Sequence, residues 1–126
     1  MDAQQIRRRM ARYVELVDAG DIDGILALYA DDAVVEDPVG SPAHVGIAAI
    51  GAFYRDGLGR TNARAELTGS VRVAGCSGAM PFRVDLDWGG RPCSIHVIDV
   101  MEFDADGRIR AMKAYWGDQD VEVRPE

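Results

Sequence analysis

The chain has 126 residues, 48% of them hydrophobic, and carries 14 basic against 21 acidic side chains for a net charge of -7. This length suffices for one hydrophobic core and is short for two, so we expect a single domain over residues 1–126. The acidic balance argues against nucleic acid or an anionic membrane as a partner, because both attract basic patches. No apolar run approaches the roughly 20 residues that a membrane span requires.

The N-terminus and the cysteines bear on location. Arg7–Arg9 lies inside a helical pattern with no apolar stretch or small-residue cleavage site after it, so no secretory signal is expected. Cys76 and Cys93 lack C-x-x-C spacing and are interpreted as two buried thiols. We therefore expect a reducing compartment and a cytoplasmic protein.

Helical periodicity dominates the first half of the chain. A helix is predicted over residues 4–18 and should end at Gly20. The next helix begins at its N-cap, Asp21, and its apolar side chains recur at i, i+3, i+4 and i+7 as far as Tyr29. A third helix covers residues 47–58. The inward faces of the three helices include three tyrosines, Tyr13, Tyr29 and Tyr54.

In the second half of the chain, apolar and polar residues alternate, which indicates strands. A helical half followed by a strand-rich half is typical of an α+β domain. The predicted strands cover residues 34–36, 62–75 with a break near Gly69, 79–88, 91–103 and 108 to about 116. Gly89-Gly90 is typical of a two-residue hairpin loop, and residues 104–107 predict a four-residue turn.

These two loops predict a register that places a carboxylate on an apolar surface. Counting back from the Gly89-Gly90 loop puts Met80 opposite Asp99, and counting from residues 104–107 puts Met112 on its other side. Desolvation should raise the pKa of Asp99, and a neutral acid in an apolar pocket is a strong hydrogen-bond donor. The alternative is an Asp that meets a backbone N–H or an arginine, or that faces outward because the register differs, for instance through a β-bulge at Pro81.

Two further residues are candidates for chemistry. The Tyr13 hydroxyl points inward from the first helix and needs a partner, and the other inward tyrosines could supply a hydrogen-bond chain. Asp37 ends a short apolar strand beside the expected cavity, where a carboxylate would be a general base. The alternatives are a structural core tyrosine and an Asp-Pro turn.

Seven stretches of the chain resemble one enzyme family. They are Met10–Asp18, Tyr29–Ala33, Val35–Pro38, Ala52–Arg55, Gly78–Val84, Val97–Met101 and Ala114–Trp116. Together they resemble bacterial Δ5-3-ketosteroid isomerase over about residues 5–124. The resemblance implies an NTF2-like cone, in which three N-terminal helices pack on a curved, mostly antiparallel sheet and enclose an apolar pocket.

The resemblance also implies roles for individual residues. Asp37 matches the general base that moves a proton from C4 to C6, while Tyr13 and Asp99 match the two donors to the C3 oxygen. The family is the standard case of a carboxylic acid held neutral at pH 7. Tyr54 and Tyr29 match tyrosines that extend the hydrogen-bond chain. The matching apolar wall consists of Met80, Phe82, Val97, Met112 and Trp116.

This chemistry requires a 3-ketosteroid substrate but no metal or cofactor, and His44 and His96 lack metal-ligand spacing. The family also implies a homodimer, which we expect to pack through the outer sheet face around Ile98 and Val100. Two alternatives remain. Another pocket enzyme, such as a hydratase or epoxide hydrolase, must position a water or a second acid/base, and no extra polar group is assigned to the pocket. A non-catalytic steroid or lipid carrier has no use for a base and two donors.

Overall fold

The computed structural model describes residues 1–125, and three helices precede most of the sheet. They are α1 (Ala3–Ala19), α2 (Ile22–Ala27) and α3 (Ile47–Leu58). The Asp2 carboxylate accepts the amide N–H of Gln5 at the start of α1, and Gly20 ends that helix in a left-handed conformation with φ 67°. Asp21 caps α2, as predicted, by accepting the amide N–H of Gly24 at 2.9 Å.

The strands form one mostly antiparallel sheet within residues 1–125. They are β1 (Tyr29–Glu36), β2 (His44–Val45), β3 (Arg64–Leu67), β4 (Arg72–Ala74), β5 (Ser77–Trp88), β6 (Arg91–Phe103), β7 (Ile109–Tyr115) and β8 (Val121–Val123). The sheet order is β2-β1-β7-β6-β5-β3, with β4 also paired to β5 and β8 to β6. Among the described strands only the β1–β7 pairing is parallel. The predicted α+β cone is confirmed.

The second helix is shorter than predicted, and the assignment of Tyr29 to it was wrong. Its backbone leaves the helix at Leu28, whose carbonyl accepts the amide N–H of Ile109 at 2.9 Å. Tyr29 therefore opens β1 and pairs with Ile109. The Tyr29 side chain is still buried, because this position of the strand also faces the core.

The β5–β6 hairpin has the predicted register, but the register between β6 and β7 was wrong. Met80 pairs with Asp99, as expected from the two-glycine loop. On the other side Asp99 pairs with Ala114 instead of Met112. The loop before β7 holds five residues instead of the predicted four, and Arg110 adds one further residue in a β-bulge. The resulting shift of two residues leaves Asp99 on the predicted face, since side chains alternate with a period of two.

The core lies between the helices and the inner face of the sheet. Four methionines, Met10, Met80, Met101 and Met112, are among its fully buried members. Cys93 is buried as predicted, whereas Cys76 is exposed, because it lies in the turn between β4 and β5. Among the described residues, no helix is long and apolar enough to cross a membrane.

Candidate active site

A cavity of about 320 Å³ opens between the helices and the inner face of the sheet, within the size range of small-molecule sites. Its lining is mostly apolar, with a few polar side chains. The lining residues are Tyr13, Val17, Asp37, Phe53, Tyr54, Asp56, Gly57, Leu58, Thr61, Phe82, Val84, Leu86, Trp88, Ile95, Val97, Asp99 and Trp116.

The structure brings most of the sequence-predicted site residues to this one cavity. Those that line it are Tyr13, Asp37, Tyr54, Phe82, Val97, Asp99 and Trp116. Tyr29, Met80 and Met112 lie elsewhere, buried in the core behind the wall. For Met112 the reason is the longer loop before β7 together with the bulge, which place it two residues along the strand from the partner of Asp99.

Asp99 is a buried carboxyl group without a protein partner. It lies in the middle of β6 and is 1% exposed. Neither carboxyl oxygen has a hydrogen-bond partner among residues 1–125. Burial raises the pKa of Asp99 well above its ordinary value, and the negative charge of Asp37 raises it further. The group is therefore disposed to hold a proton and to donate it in a hydrogen bond to a molecule in the cavity.

Three tyrosines form a continuous hydrogen-bond chain beside this acid. The Tyr29 and Tyr54 hydroxyls are 2.6 Å apart, and those of Tyr54 and Tyr13 are 2.8 Å apart. Burial raises the pKa of Tyr13 well above its ordinary value, while the hydrogen bond from Tyr54 acts in the opposite direction. If each hydroxyl donates to the next toward Tyr13, the Tyr13 proton is left free for a molecule in the cavity.

Asp37 directly follows β1 and is held by the residue that directly follows β7. The indole Nε1–H of Trp116 donates to the Asp37 carboxylate at 2.7 Å. The loop after Asp37 is tied down as well, because the Val39 amide donates to the Ala114 carbonyl at 2.8 Å. Burial raises the pKa of Asp37, whereas the Trp116 hydrogen bond and the charge of His44 lower it. On balance the pKa of Asp37 is raised, which makes the carboxylate a stronger base than an exposed aspartate.

Sequence reasoning missed four polar or aromatic members of the lining, Phe53, Asp56, Thr61 and Trp88. Asp56 follows Phe53 by three residues on α3, so helical spacing could have placed both on the cavity side. Trp88 continues the apolar alternation of β5 and packs edge-to-face on Trp116, with ring centroids 6.2 Å apart. The position of Thr61 depends on a tertiary contact and had no local signal. The sequence assigned no extra polar group to the pocket, whereas the structure adds Asp56 and Thr61 to its lining.

Comparisons with known proteins agree with this architecture. Residues 10–112 match the family described as the SnoaL-like domain. The chain is 42% identical to a steroid Delta-isomerase from Nocardioides simplex over 121 residues, which cover 96% of this chain and 97% of that one. It is 35% identical over 124 residues to the epoxide hydrolase LasB from Streptomyces lasalocidi, spanning 93% of this chain and 43% of LasB.

A solved structure extends the likeness to three dimensions. It is that of SalBIII, described as an epoxide hydrolase/cyclase-like enzyme with a role in pyran ring formation. The TM-score is 0.91 at 26% identity, with 98% of each chain covered. Sequence and fold lead to the same assignment: the chain belongs to the SnoaL-like domain family, with a steroid Delta-isomerase among its full-length relatives.

Proposed function

We propose that the protein is a steroid Δ-isomerase that converts Δ5-3-ketosteroids to Δ4-3-ketosteroids. The observation that carries this proposal is the buried, unpartnered acid Asp99, which shares one apolar cavity with Tyr13 and the Asp37 carboxylate. Burying a polar group without a partner is unfavourable, so the site fits a ligand that supplies the missing acceptor. The 42% identical steroid Delta-isomerase supports the same assignment.

The first step is removal of a proton from C4 of the substrate. The C3 ketone oxygen accepts hydrogen bonds from Tyr13 and Asp99 at the inner end of the cavity. The Asp37 carboxylate takes the C4 proton, and the C–H electron pair forms the C3–C4 double bond. The carbonyl π electrons move to oxygen and give a dienolate, whose negative charge the two donors stabilise in a low-dielectric site.

The second step returns the same proton at C6. The C5–C6 π electrons take the proton from protonated Asp37 and form the C6–H bond. The C3–C4 π electrons shift to form the C4–C5 double bond, and an oxygen lone pair restores the C3 carbonyl. One base is enough, since the proton leaves and returns on the same molecule. The chemistry requires no cofactor, and we further propose that the chain acts as a single domain, as a homodimer and in the cytoplasm.

Ultraviolet absorbance tests the proposal directly, because a conjugated enone absorbs where the unconjugated ketone does not. The variant Asp37→Asn retains the shape but loses the proton acceptor, so we expect kcat to fall by about 10²–10⁴. Binding of a planar phenolic steroid, measured by calorimetry, should be kept or tightened. Turnover by the variant near the wild-type rate would remove Asp37 from the mechanism.

A second candidate function is epoxide opening, which the two relatives described as epoxide hydrolases favour. Neutral Asp99 would protonate the epoxide oxygen as its C–O bond breaks, and Asp37 would take the proton of the attacking hydroxyl or water. The net reaction yields a cyclic ether or a diol. Incubation with a polycyclic epoxide, followed by mass spectrometry, separates this candidate from isomerisation. A carrier is the weakest alternative, because it has no use for Asp37.

A further inference from the structure

His44 lies on the same face of the sheet as the base Asp37. Strand β2 begins at His44 and pairs with the end of β1, where His44 is opposite Val35. Residues directly opposite in an antiparallel pair point to the same side, and Val35 is fully buried on the inner side. Asp37 comes two residues after Val35 and lines the cavity on that side. His44 and Asp37 are therefore diagonal neighbours, a relation that places two residues about 7–8 Å apart.

An aromatic contact holds the imidazole in this place. The rings of His44 and Phe53 have centroids 4.5 Å apart and planes inclined by 33°. Phe53 belongs to α3 and lines the cavity, and its ring packs edge-to-face on Tyr54 at 5.1 Å. Tyr54 is the middle member of the tyrosine chain. His44 itself is not among the lining residues, so it acts on a reaction in the cavity only through its neighbours.

The two elements that pack against β2 are β1 and α3. On β1, Glu36 points to the opposite face of the sheet, because side chains alternate along a strand. Asp31 and Asp32 are exposed in the first half of that strand. Asp37 is therefore the acidic group that this side of the sheet brings closest to His44.

Helix α3 adds two charged side chains, Arg55 and Asp56. The Arg55 guanidinium lies against Gly51, toward α2. The Asp56 carboxylate is largely exposed and contacts Arg60 at 3.8 Å, so water and this contact screen its charge. Within residues 1–125, no acidic side chain forms an ion pair with His44. The charge of a protonated imidazole is thus not neutralised before it reaches the base.

From this placement we propose that His44 is a positioning residue that acts through Asp37: its imidazolium, packed on Phe53, favours the ionised form of the base. A positive charge near a carboxylate stabilises the charged form, and partly buried surroundings weaken this effect less than water does. In agreement, the charge of His44 lowers the pKa of Asp37, against the effect of burial. The inference rests on the proposed isomerase function, in which Asp37 must be ionised to accept the C4 proton.

Carbon NMR of the Asp37 carboxyl group tests this inference without any substrate. In protein labelled at the aspartate carboxyl carbons, the Asp37 signal is identified by its absence from Asp37→Asn, and its position is followed as a function of pH. The variant His44→Phe keeps a ring against Phe53 but removes the charge. We expect the midpoint of the Asp37 titration to rise by about 0.5–1.5 pH units, the Coulomb effect of one charge at this distance. His44→Gln, which removes the ring as well, should give a similar rise.

Two further variants are matched controls. His44→Arg restores a positive charge that also packs on aromatic rings, so its midpoint should stay close to that of the wild type. His96 is the other histidine of the chain; it lies on the outer face of β6 and contacts Glu122 at 3.6 Å. His96→Gln should leave the midpoint unchanged. An unchanged midpoint in His44→Phe would overturn the inference. A rise that His44→Arg does not reverse would also overturn it, because altered packing would then be the cause.

Turnover separates this inference from the proposed function. The acidic limb of kcat/KM against pH, measured by enone absorbance, reports the ionisation of the base in the free enzyme. In His44→Phe its midpoint should rise by the same amount as the NMR midpoint. If the NMR midpoint rises but the wild-type protein converts no Δ5-3-ketosteroid, isomerisation is rejected and the effect of His44 on Asp37 stands. If the substrate is converted and both midpoints keep their wild-type values, the isomerase stands and the role of His44 is rejected.

Discussion

At the scale of single residues, the site combines an acid and a base of the same chemical type. Asp99 and Asp37 differ in their surroundings: within residues 1–125 the Asp99 carboxyl group has no hydrogen-bond partner, whereas Asp37 accepts a hydrogen bond from Trp116. Burial raises the pKa of both, but the Trp116 hydrogen bond opposes the shift for Asp37. This difference in environment supports the proposed roles of Asp99 as hydrogen-bond donor and Asp37 as proton acceptor.

Burial of Asp99 should make stability depend on pH. Its folded pKa is raised above the unfolded value of about 3.9, so the folded state binds the proton more strongly. Well below pH 4, Asp99 is protonated in both the folded and the unfolded state, so its ionisation does not change the free energy of unfolding. As pH rises from there toward the folded pKa, the unfolded state ionises and the fold loses about 1.4 kcal/mol per pH unit.

The variant Asp99→Asn should escape this loss, because an amide does not ionise. We expect its free energy of unfolding, relative to wild type, to increase between pH 5 and pH 7 by at most about 2.7 kcal/mol. Denaturant unfolding of both proteins at the two pH values measures the difference. A difference that does not change with pH would mean that Asp99 is not a buried neutral acid. The variant should also have a lower kcat, since an amide is the weaker donor.

Tyr13 is expected to act on the transition state more than on the bound substrate. The variant Tyr13→Phe removes one donor to the developing oxyanion, so kcat should fall by about 10²–10³ with a smaller change in KM. Steady-state kinetics by enone absorbance measures both constants. A large increase in KM with kcat intact would instead assign Tyr13 to ground-state binding.

At the scale of secondary structure elements, alternation in the sequence was enough to predict the face of Asp99 but not the register of β7. Both Ile109 and Met112 are buried although they are three residues apart, which a regular strand does not allow. The extra residue, Arg110, resolves the conflict. The spacing of these two apolar residues thus indicates the bulge. The predicted register was counted from the turn alone and did not take this spacing into account.

Some residues of the candidate site could be predicted from the local sequence pattern, whereas others depend on tertiary contacts. Tyr13 and Asp99 stood out because a polar group fell at an apolar position of a regular helix or strand. Thr61 did not, because it lies beyond the helix end without a local pattern, and Asp56 could be found only through its helical spacing from Phe53. Their place at the cavity follows from tertiary structure, including the hydrogen bond from the Asp87 amide to the Thr61 carbonyl.

Close packing of α1 on β5 depends on the absence of a side chain at Gly78. A Cβ atom there would overlap the Met10 sulfur and approach Ile6 to 3.3 Å. We therefore expect Gly78→Ala to lower the free energy of unfolding by about 1–3 kcal/mol, because overpacking forces neighbours to move. Denaturant unfolding measures the change. Gly117→Ala, where a Cβ meets nothing within 4 Å, is the control and should have a smaller effect.

At the scale of the whole molecule, the outer face of the sheet carries apolar side chains in water. Ile98 and Tyr115 are each 48% exposed and pair with each other across β6 and β7, and Val100 beside them is half-buried. We expect this face to join two copies of the chain. Light scattering at micromolar concentration should give the mass of a dimer, and Ile98→Glu should give a monomer. A wild-type monomer at that concentration would contradict the prediction.

The chain has two tryptophans, and both line the cavity with their ring centroids 6.2 Å apart. Indole fluorescence responds to local polarity and to nearby charge, so the emission of the whole protein reports on this one place. An occupant that expels water should shift the emission to shorter wavelength. Protonation of Asp37, the acceptor of the Trp116 N–H, should change its intensity. The protein therefore carries its own optical probe of cavity occupancy and of the state of the base, without any added label.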